Sequence, residues 1–252
     1  MQFEIDNKKA IANRGNLFRL KQVMRRAEAG EPVKVGFIGG SITMGCLATE
    51  PELCYAYRVY EWWQEKFPKT EVSYINAGIG ATTSQFAAAR VEKDLLDQKP
   101  DVVFVEFSVN DDANEFFMET YESLIRKIYT FDQNTAIIII NCVRYDDGGS
   151  AEVWHAKVAR YYELPQISMQ RSIYPEVAAG RISAEEITAD YLHPNDIGHK
   201  LVAGVIESFL EEVYTEREQK EAEAEEKAPL TEASYQHAVR YRNDNCDPVI
   251  TG

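Results

Sequence analysis

A three-layer α/β/α sandwich around a parallel, flavodoxin-like five-stranded sheet is predicted by three features of this sequence. Short runs that are apolar along most of their length recur through the chain, as at 33–38, 102–107 and 136–140. Between them lie longer stretches whose apolar residues recur at helical spacing. The chain has 252 residues, 45% of them hydrophobic, which suits one sizeable domain with a well-buried core. A strand that is apolar throughout needs cover on both faces. Strands alternating with helices supply that cover and pair in parallel through right-handed crossovers.

Taken in order, 16–29 reads as a helix and 33–38 (Val-Lys-Val-Gly-Phe-Ile) as the first strand. An aromatic-rich amphipathic stretch at 52–66 precedes the second strand at 72–76 (Val-Ser-Tyr-Ile-Asn) and a helix at 83–97. The third strand, 102–107, is nearly all apolar and is followed by a helix at 115–131. The fourth is Ala136-Ile137-Ile138-Ile139-Ile140. A turn at Asp146-Asp147-Gly148-Gly149 leads to a helix at 151–161 and a short fifth strand at 164–168, and a helix at 195–212 closes the series.

The main domain is therefore placed at 1–212. Residues 211–227 hold eight Glu against three basic residues and almost nothing apolar, the pattern of a solvated helix extension or linker, with no chemistry assigned to it. After Pro229 the character changes: 235–242 reads as a strand and 243–248 as a turn. The stretch 213–252 is expected to be an acidic linker followed by the start of a truncated β-rich module, or by a terminal strand that packs back on the body.

Composition excludes several classes of partner. A formal net charge of −14 argues against nucleic acid and anionic membranes. No run approaches the length of a spanning helix. The N-terminus lacks the apolar core of a signal peptide, and Cys46, Cys54, Cys142 and Cys246 form no CxxC pair. Free thiols in a reducing compartment are the default, so a cytoplasmic location is expected, or a secreted one if an export signal has been trimmed. Oligomeric state is not legible.

Four segments fall where an open parallel sheet binds ligands, beyond the carboxyl ends of its strands. Gly39-Gly40-Ser41-Ile42-Thr43 follows the first strand, and 76–83 (Asn-Ala-Gly-Ile-Gly-Ala-Thr-Thr) the second. Ser108-Val109-Asn110-Asp111-Asp112 follows the third, and Asp190-Tyr191-Leu192-His193-Pro194-Asn195 precedes the last helix. Singly, each has a plainer explanation: glycines as turn formers, Ser41, Asn110 and Asp111 as helix caps, His193 as a loop residue before proline. Jointly they supply a hydroxyl, an imidazole, a carboxylate and an amide.

In order and spacing these segments resemble the blocks of the SGNH (GDSL-like) hydrolase superfamily, from about Val33 to His199. The first block is usually Gly-Asp-Ser and here reads Gly39-Gly40-Ser41, as in carbohydrate-esterase-like members. The third, usually Gly-x-Asn-Asp, reads Ser108-Val109-Asn110-Asp111, and Asp190-x-x-His193-Pro194 is intact. The glycine of the second block aligns with Ala81, beside Gly80. Carried over, the resemblance implies acyl transfer to water: Ser41 as nucleophile, His193 as general base and then acid, and Asp190 as the group that orients the imidazole. It also implies an oxyanion hole from the N–H of Ser41, the N–H of Ala81 or Gly80, and the Asn110 amide.

That reading leads to a serine carboxylic-ester hydrolase removing small acyl groups, acetyl above all, from carbohydrate or oligosaccharide, with no cofactor and no metal. The alternatives are a lipase-like or thioesterase member acting on longer chains, and a non-catalytic carbohydrate-binding protein. No Gly-x-Ser-x-Gly elbow is present, because position 43 is Thr, and Gly36-Phe-Ile-Gly39-Gly40 is not a dinucleotide fingerprint. Of the remaining residues, Trp62, Trp63 and Phe67 are expected in the core and His199 at the surface or in a cap. His155 has no partner at metal spacing, Asp111 and Asp112 suit loop hydrogen bonding, and Tyr55, Tyr57 and Arg58 are candidates to line the pocket.

Overall fold

The computed structural model describes residues 3–241 and Cys246. Its sheet has six strands in the order β1-β6-β5-β4-β2-β3. These are β1 (Ile11–Asn13), β2 (Val33–Gly39), β3 (Val72–Gly78), β4 (Val102–Glu106), β5 (Ala136–Asn141) and β6 (Gln166–Ser168). The five expected strands, β2 to β6, pair in parallel with flavodoxin-like order. The sixth, β1, corrects the expected count, because it adds antiparallel to β6 at the sheet edge. Three residues are too few to display a period. Gly15 then turns the chain with φ +62° against the Glu163 carbonyl, and Asn13 Nδ2 donates to Leu164 O at 2.8 Å.

The helices are α1 (Phe18–Glu28), α2 (Ser41–Met44), α3 (Tyr55–Lys66), α4 (Ser84–Asp94), α5 (Glu115–Phe131), α6 (Glu152–Tyr161), α7 (Met169–Ala178), α8 (Ala184–Ile187) and α9 (Asp196–Thr215). Neither α7 nor α8 is expected from the sequence. Pro175 lies inside α7, where proline usually signals a break, and α8 is a single turn closed by a Ser183–Glu186 capping box.

Side chains on the strands alternate between two cores. Val102, Phe104, Ile138 and Ile140 face one layer, with residues of α1, α3, α7 and α9. Val103, Val105, Ile137 and Ile139 face the other, with α4, α5 and α6. All six residues of β5 are buried, and each fully buried isoleucine contributes about 1.5–3 kcal/mol. Trp63 and Phe67 are in the first core as expected, and Trp62 joins them while its indole N–H reaches Glu211 at 2.8 Å.

The sheet also fixes where a site can form. From β2 the chain moves outward to β3, then crosses back over β2 to β4, so strand order reverses at β2. The carboxyl ends of β2, β3 and β4 converge there, beside the start of α9.

Residues 216–241 form no strand and lie against the body as irregular chain. Glu221 accepts hydrogen bonds from Leu17 N (2.8 Å) and Lys21 Nζ (2.7 Å). Arg126 Nη1 donates to Lys227 O at 3.0 Å, and Arg240 N to Ala89 O at 2.8 Å. The buried Glu122 carboxylate of α5 accepts from Leu230 N (2.5 Å), Thr231 N (2.7 Å), Thr231 Oγ1 and Tyr162 Oη. Apart from Cys246, the turn expected at 243–248 lies outside the described residues.

Glu122→Ala would leave these donors facing a void, at about 1–3 kcal/mol for each group left unsatisfied. The expected outcome is a fall in Tm of roughly 5 °C or more, with new protease cleavage confined to 216–241. An unchanged Tm together with unchanged resistance would show that Glu122 does not hold this segment.

Candidate active site

Ser41 is presented by a turn whose glycines are closely packed by Thr43, the Glu106 carbonyl and the Asn110 side chain. A Cβ on Gly39 would lie 2.0 Å from Thr43 Oγ1 and 2.7 Å from Glu106 O, and one on Gly40 would lie 2.3 Å from Asn110 Oδ1. Any side chain at either position would push apart the elements that frame the serine. Gly40 is the N-cap of α2 and Ser41 its first residue, so Ser41 is not the cap. Thr43 Oγ1 and Tyr55 Oη are 2.8 Å apart and fasten α2 to α3. Tyr55 is fully buried by this contact and lines no surface. Tyr57 packs on Tyr60 and Tyr74, and Arg58 Nε donates to Leu53 O at 3.0 Å.

The Ser41 hydroxyl contacts His193 instead. Ser41 Oγ is 2.8 Å from His193 Nε2, across 152 residues of sequence. His193 Nδ1 is 2.6 Å from Asp190 Oδ2, and Asp190 Oδ1 accepts from the backbone N–H of His193 (2.7 Å) and of Leu192 (3.0 Å). With Nδ1–H donating to the carboxylate, Nε2 is left as the acceptor facing the serine. Burial opposes ionisation of Asp190, but the hydrogen bonds from His193 and Leu192 and the charge of the imidazole outweigh it and hold the carboxyl at about 2. Its loop is anchored at both ends. Thr188 bridges to Pro194, and the Asn195 side chain caps α9 by accepting from Ile197 N (3.0 Å) and Gly198 N (3.1 Å).

Two further expected residues, Asn110 and Gly80, flank the Gly40–Ser41 turn, and Ala81 follows Gly80 in the chain. Asn110 has its Oδ1 buried against Gly40 without a partner among the described residues, and its Nδ2 would lie 3.1 Å from a Cβ at Gly40. A Cβ on Gly80 would be 3.8 Å from Ser41 Cβ, so the second loop flanks the serine. Ala81 has φ +56°, the left-handed region that glycine favours, which agrees with its alignment to a glycine. Backbone N–H groups of Ser41, Gly80 and Ala81 donate to no acceptor among the described residues. The turn that carries Ser41 thus lies between the loop of Gly80 and Ala81 and the loop of Asn110, each bringing an amide donor of the kind that receives a negatively charged oxygen.

Other residues differ from expectation. His199 is buried rather than superficial: Tyr55 N donates to its Nδ1 (3.3 Å) and its Nε2 lies 3.1 Å from Cys46 O, bracing the segment after α2. Burial lowers its pKa to about 4, against the opposing pull of the Cys46 carbonyl and Asp196. His155 lies on α6 as expected and is buried, with Nε2 3.1 Å from Asp111 Oδ2. Sequence reasoning overlooked Glu106, at the end of β4. Its Oε1 accepts from Ser108 N (3.0 Å) and Ser108 Oγ (2.9 Å), while Oε2 is buried without a partner. Burial pushes its carboxyl up to about 7, against the hydrogen bonds from Ser108. An acidic residue closing an otherwise apolar strand was the available signal.

Serine, histidine and aspartate in hydrogen-bonded series at the switch point of a parallel α/β sheet define the class of α/β serine hydrolases. The profile of the GDSL-like Lipase/Acylhydrolase family matches residues 37–201, and the chain belongs to that family. Among curated proteins it is similar to an acetylxylan esterase of Geobacillus stearothermophilus, 24% identical over 212 residues that make up 73% of this chain and 95% of the relative. Among solved structures it is similar to a two-domain esterase (CEX) active on acetylated mannans, with 54% identity and a TM-score of 0.94 over 96% of this chain. The chain spans 65% of that two-domain esterase. The crystal structure of Axe2, an acetylxylan esterase from Geobacillus stearothermophilus, shares the fold at 21% identity and a TM-score of 0.57, over 73% of this chain and 96% of that one.

Glu106 and Asp190 have opposite effects on pH stability. Asp190 is depressed by folding, so its contribution is present above its ordinary value of 3.8 and is lost as pH falls through about 2. Glu106 is raised by folding, so stability falls as pH rises from its ordinary 4.5 to about 7, where the unfolded chain ionises and the folded one retains its proton. Glu106→Gln is therefore expected to gain in Tm relative to wild type as pH rises across that window. Parallel Tm curves for the two proteins between pH 4.5 and 7.5 would show that Glu106 is not held protonated.

Proposed function

We propose that this protein is a serine carboxylic-ester hydrolase that removes acetyl groups from carbohydrate, with acetylated mannan-type oligosaccharides as the substrate class. The observation that carries the reading is the 2.8 Å contact between Ser41 Oγ and His193 Nε2, with Asp190 on the far side of the imidazole. The Ser41 hydroxyl is inert until its proton is taken, and His193 Nε2 is the acceptor in reach. Attack on the acetyl carbonyl breaks its π bond and puts negative charge on the oxygen, and the proton passes to His193. The N–H of Ser41, the Asn110 amide and the N–H of Ala81 or Gly80 stabilise that charge. Collapse expels the sugar oxygen, which takes the proton back from His193 and leaves acetyl on Ser41. Water then repeats the sequence in reverse and releases acetate. Asp190 stays ionised throughout because its carboxyl titrates at about 2.

Two facts support carbohydrate as the alcohol part. The similar structure at 54% identity is active on acetylated mannans, and the more distant curated relative is an acetylxylan esterase. A net charge of −14 also favours a neutral polymer over an anionic one.

Purified protein is expected to hydrolyse p-nitrophenyl acetate faster than the butyrate and octanoate esters, and to release acetate faster from acetylated manno-oligosaccharides than from xylo-oligosaccharides. Ser41→Ala should abolish turnover. Asn110→Ala should keep the wild-type Tm and lose about 10²–10³ in kcat, the usual cost of one oxyanion donor. A preference for octanoate would establish the long-chain reading instead, and equal rates for wild type and Ser41→Ala would remove the serine mechanism.

A further inference from the structure

Asp111 and His155 form a buried pair that the acyl-transfer steps do not use. Neither side chain is exposed. Asp111 Oδ1 accepts from Ser84 N at 2.9 Å, and Oδ2 lies 3.1 Å from His155 Nε2. Ser84 is the first residue of α4, directly after the 79–83 turn that holds Gly80 and Ala81. Asp111 follows Asn110, and the N–H groups of both donate to Phe107 O, at 3.0 Å from Asn110 and 2.9 Å from Asp111. One carboxylate therefore joins the loop after β3 to the loop after β4, the two that flank Ser41. We propose that Asp111 is a positioning residue that locks these two loops in the geometry needed to receive the oxyanion, with His155 holding its second oxygen. The proposal rests on the acyl-transfer reading given above.

The surroundings of His155 leave it one orientation and one proton position. Its ring stacks on Tyr121 at 3.6 Å and 7°. Gln166 Nε2 donates to Asn141 Oδ1 at 2.7 Å, which turns Asn141 Nδ2 toward His155 Nδ1 at 3.2 Å. With Nδ1 accepting, the ring proton is on Nε2 and points at Asp111. Residues of β5 and β6, in the sheet, thus fix the imidazole, and the imidazole fixes the carboxylate. The start of α6 is tied to the same loop, since Ala151 N donates to Ser108 O at 2.7 Å. Ser84 is held from below as well, with its Oγ 2.7 Å from Thr120 Oγ1 of α5. Asp111 has no route to substrate because its side chain is enclosed. Its effect on the reaction is exerted through Asn110 and the turn at Gly80–Ala81, where a displacement of about 1 Å can cost on the order of 10²-fold in rate.

Asp111→Asn keeps size and shape but turns an N–H toward His155 Nε2–H, so that donor meets donor. The test is a double-mutant cycle of Asp111→Asn with Asn110→Ala, read as kcat and KM on p-nitrophenyl acetate, with Tm beside each. Asp111→Asn is expected to lower kcat by about 10–100-fold with KM nearly unchanged, and to cost little more once Asn110 is already alanine. His155→Gln, whose amide can still donate to Asp111, should stay close to wild type, whereas His155→Leu should fall with Asp111→Asn. If Asp111→Asn does not fold, Ser84→Pro carries the same cycle. It removes the one N–H held by Asp111 at a first helical position, where proline is tolerated, and Ser84→Ala beside it accounts for the lost Oγ contact with Thr120. Costs that simply add in the cycle, or an unchanged kcat, would overturn the lock and leave Asn110's role standing. Wild-type turnover in Asn110→Ala would instead remove the oxyanion reading beneath it.

Discussion

Close passage of backbone at the carboxyl end of β2 is the constraint on which the rest of the molecule depends. Gly39 and Gly40 have no room for a Cβ, and neither does Gly78, where one would lie 2.3 Å from Met44 N. These three positions let β2, β3 and β4 end within reach of one another and let α2 start immediately. The sheet supplies the depth: β2 pairs in parallel with both β3 and β4, so the reversal of strand order falls at the serine. A Cβ at any of the three would separate Ser41 from Asn110 or from the Gly80–Ala81 turn before it changed anything else. Local sterics and sheet topology therefore agree on one place for a site, which is the kind of consistency that specifies a single structure.

Three carboxyl groups near that place satisfy three different electrostatic conditions. Asp190 is half-exposed and receives two backbone N–H bonds as well as the imidazole, so it stays ionised and orients His193. Asp111 is enclosed, and both of its oxygens have donors. Glu106 is enclosed with one oxygen unpartnered, and the neutral acid is the form such a site favours. A charged group at Glu106, the register partner of Gly39 on β4, would leave its buried Oε2 uncompensated. A neutral one lets Ser108 fold over it and sets the path of the loop that carries Asn110.

The acidic C-terminal stretch illustrates how composition underdetermines structure. Its glutamates read as a solvated run, yet Glu221 reaches the buried Lys21 and the N–H of Leu17, the residue that caps α1. Its backbone in turn satisfies Glu122, Arg126 and Tyr161. Charges that look alike in sequence are divided between those facing water and those facing a particular partner, and only the partner's position decides which is which.

The sequence by itself determined the alternation of strands and helices, the two-sided burial of β4 and β5, and the identity of the four segments that meet at the site. Those features are local: apolar period, strand-closing glycines and the spacing of Asp190 from His193 are all read within a few residues. Ser41, Asn110 and His193 were legible for that reason, and so was the alignment of Ala81 with a glycine, which its left-handed φ matches. The tertiary structure alone decided the rest. It added β1 antiparallel at the edge, kept α7 helical through Pro175, buried His199 and Tyr55, joined Asp111 to His155 and left Glu106 without a partner for one oxygen. Each of these depends on residues far apart in the chain, 144 between Tyr55 and His199 and 44 between Asp111 and His155, and on whether a polar group finds its donor once water is excluded. Spacing along a sequence carries no record of that, because burial and pairing are properties of the assembled layers.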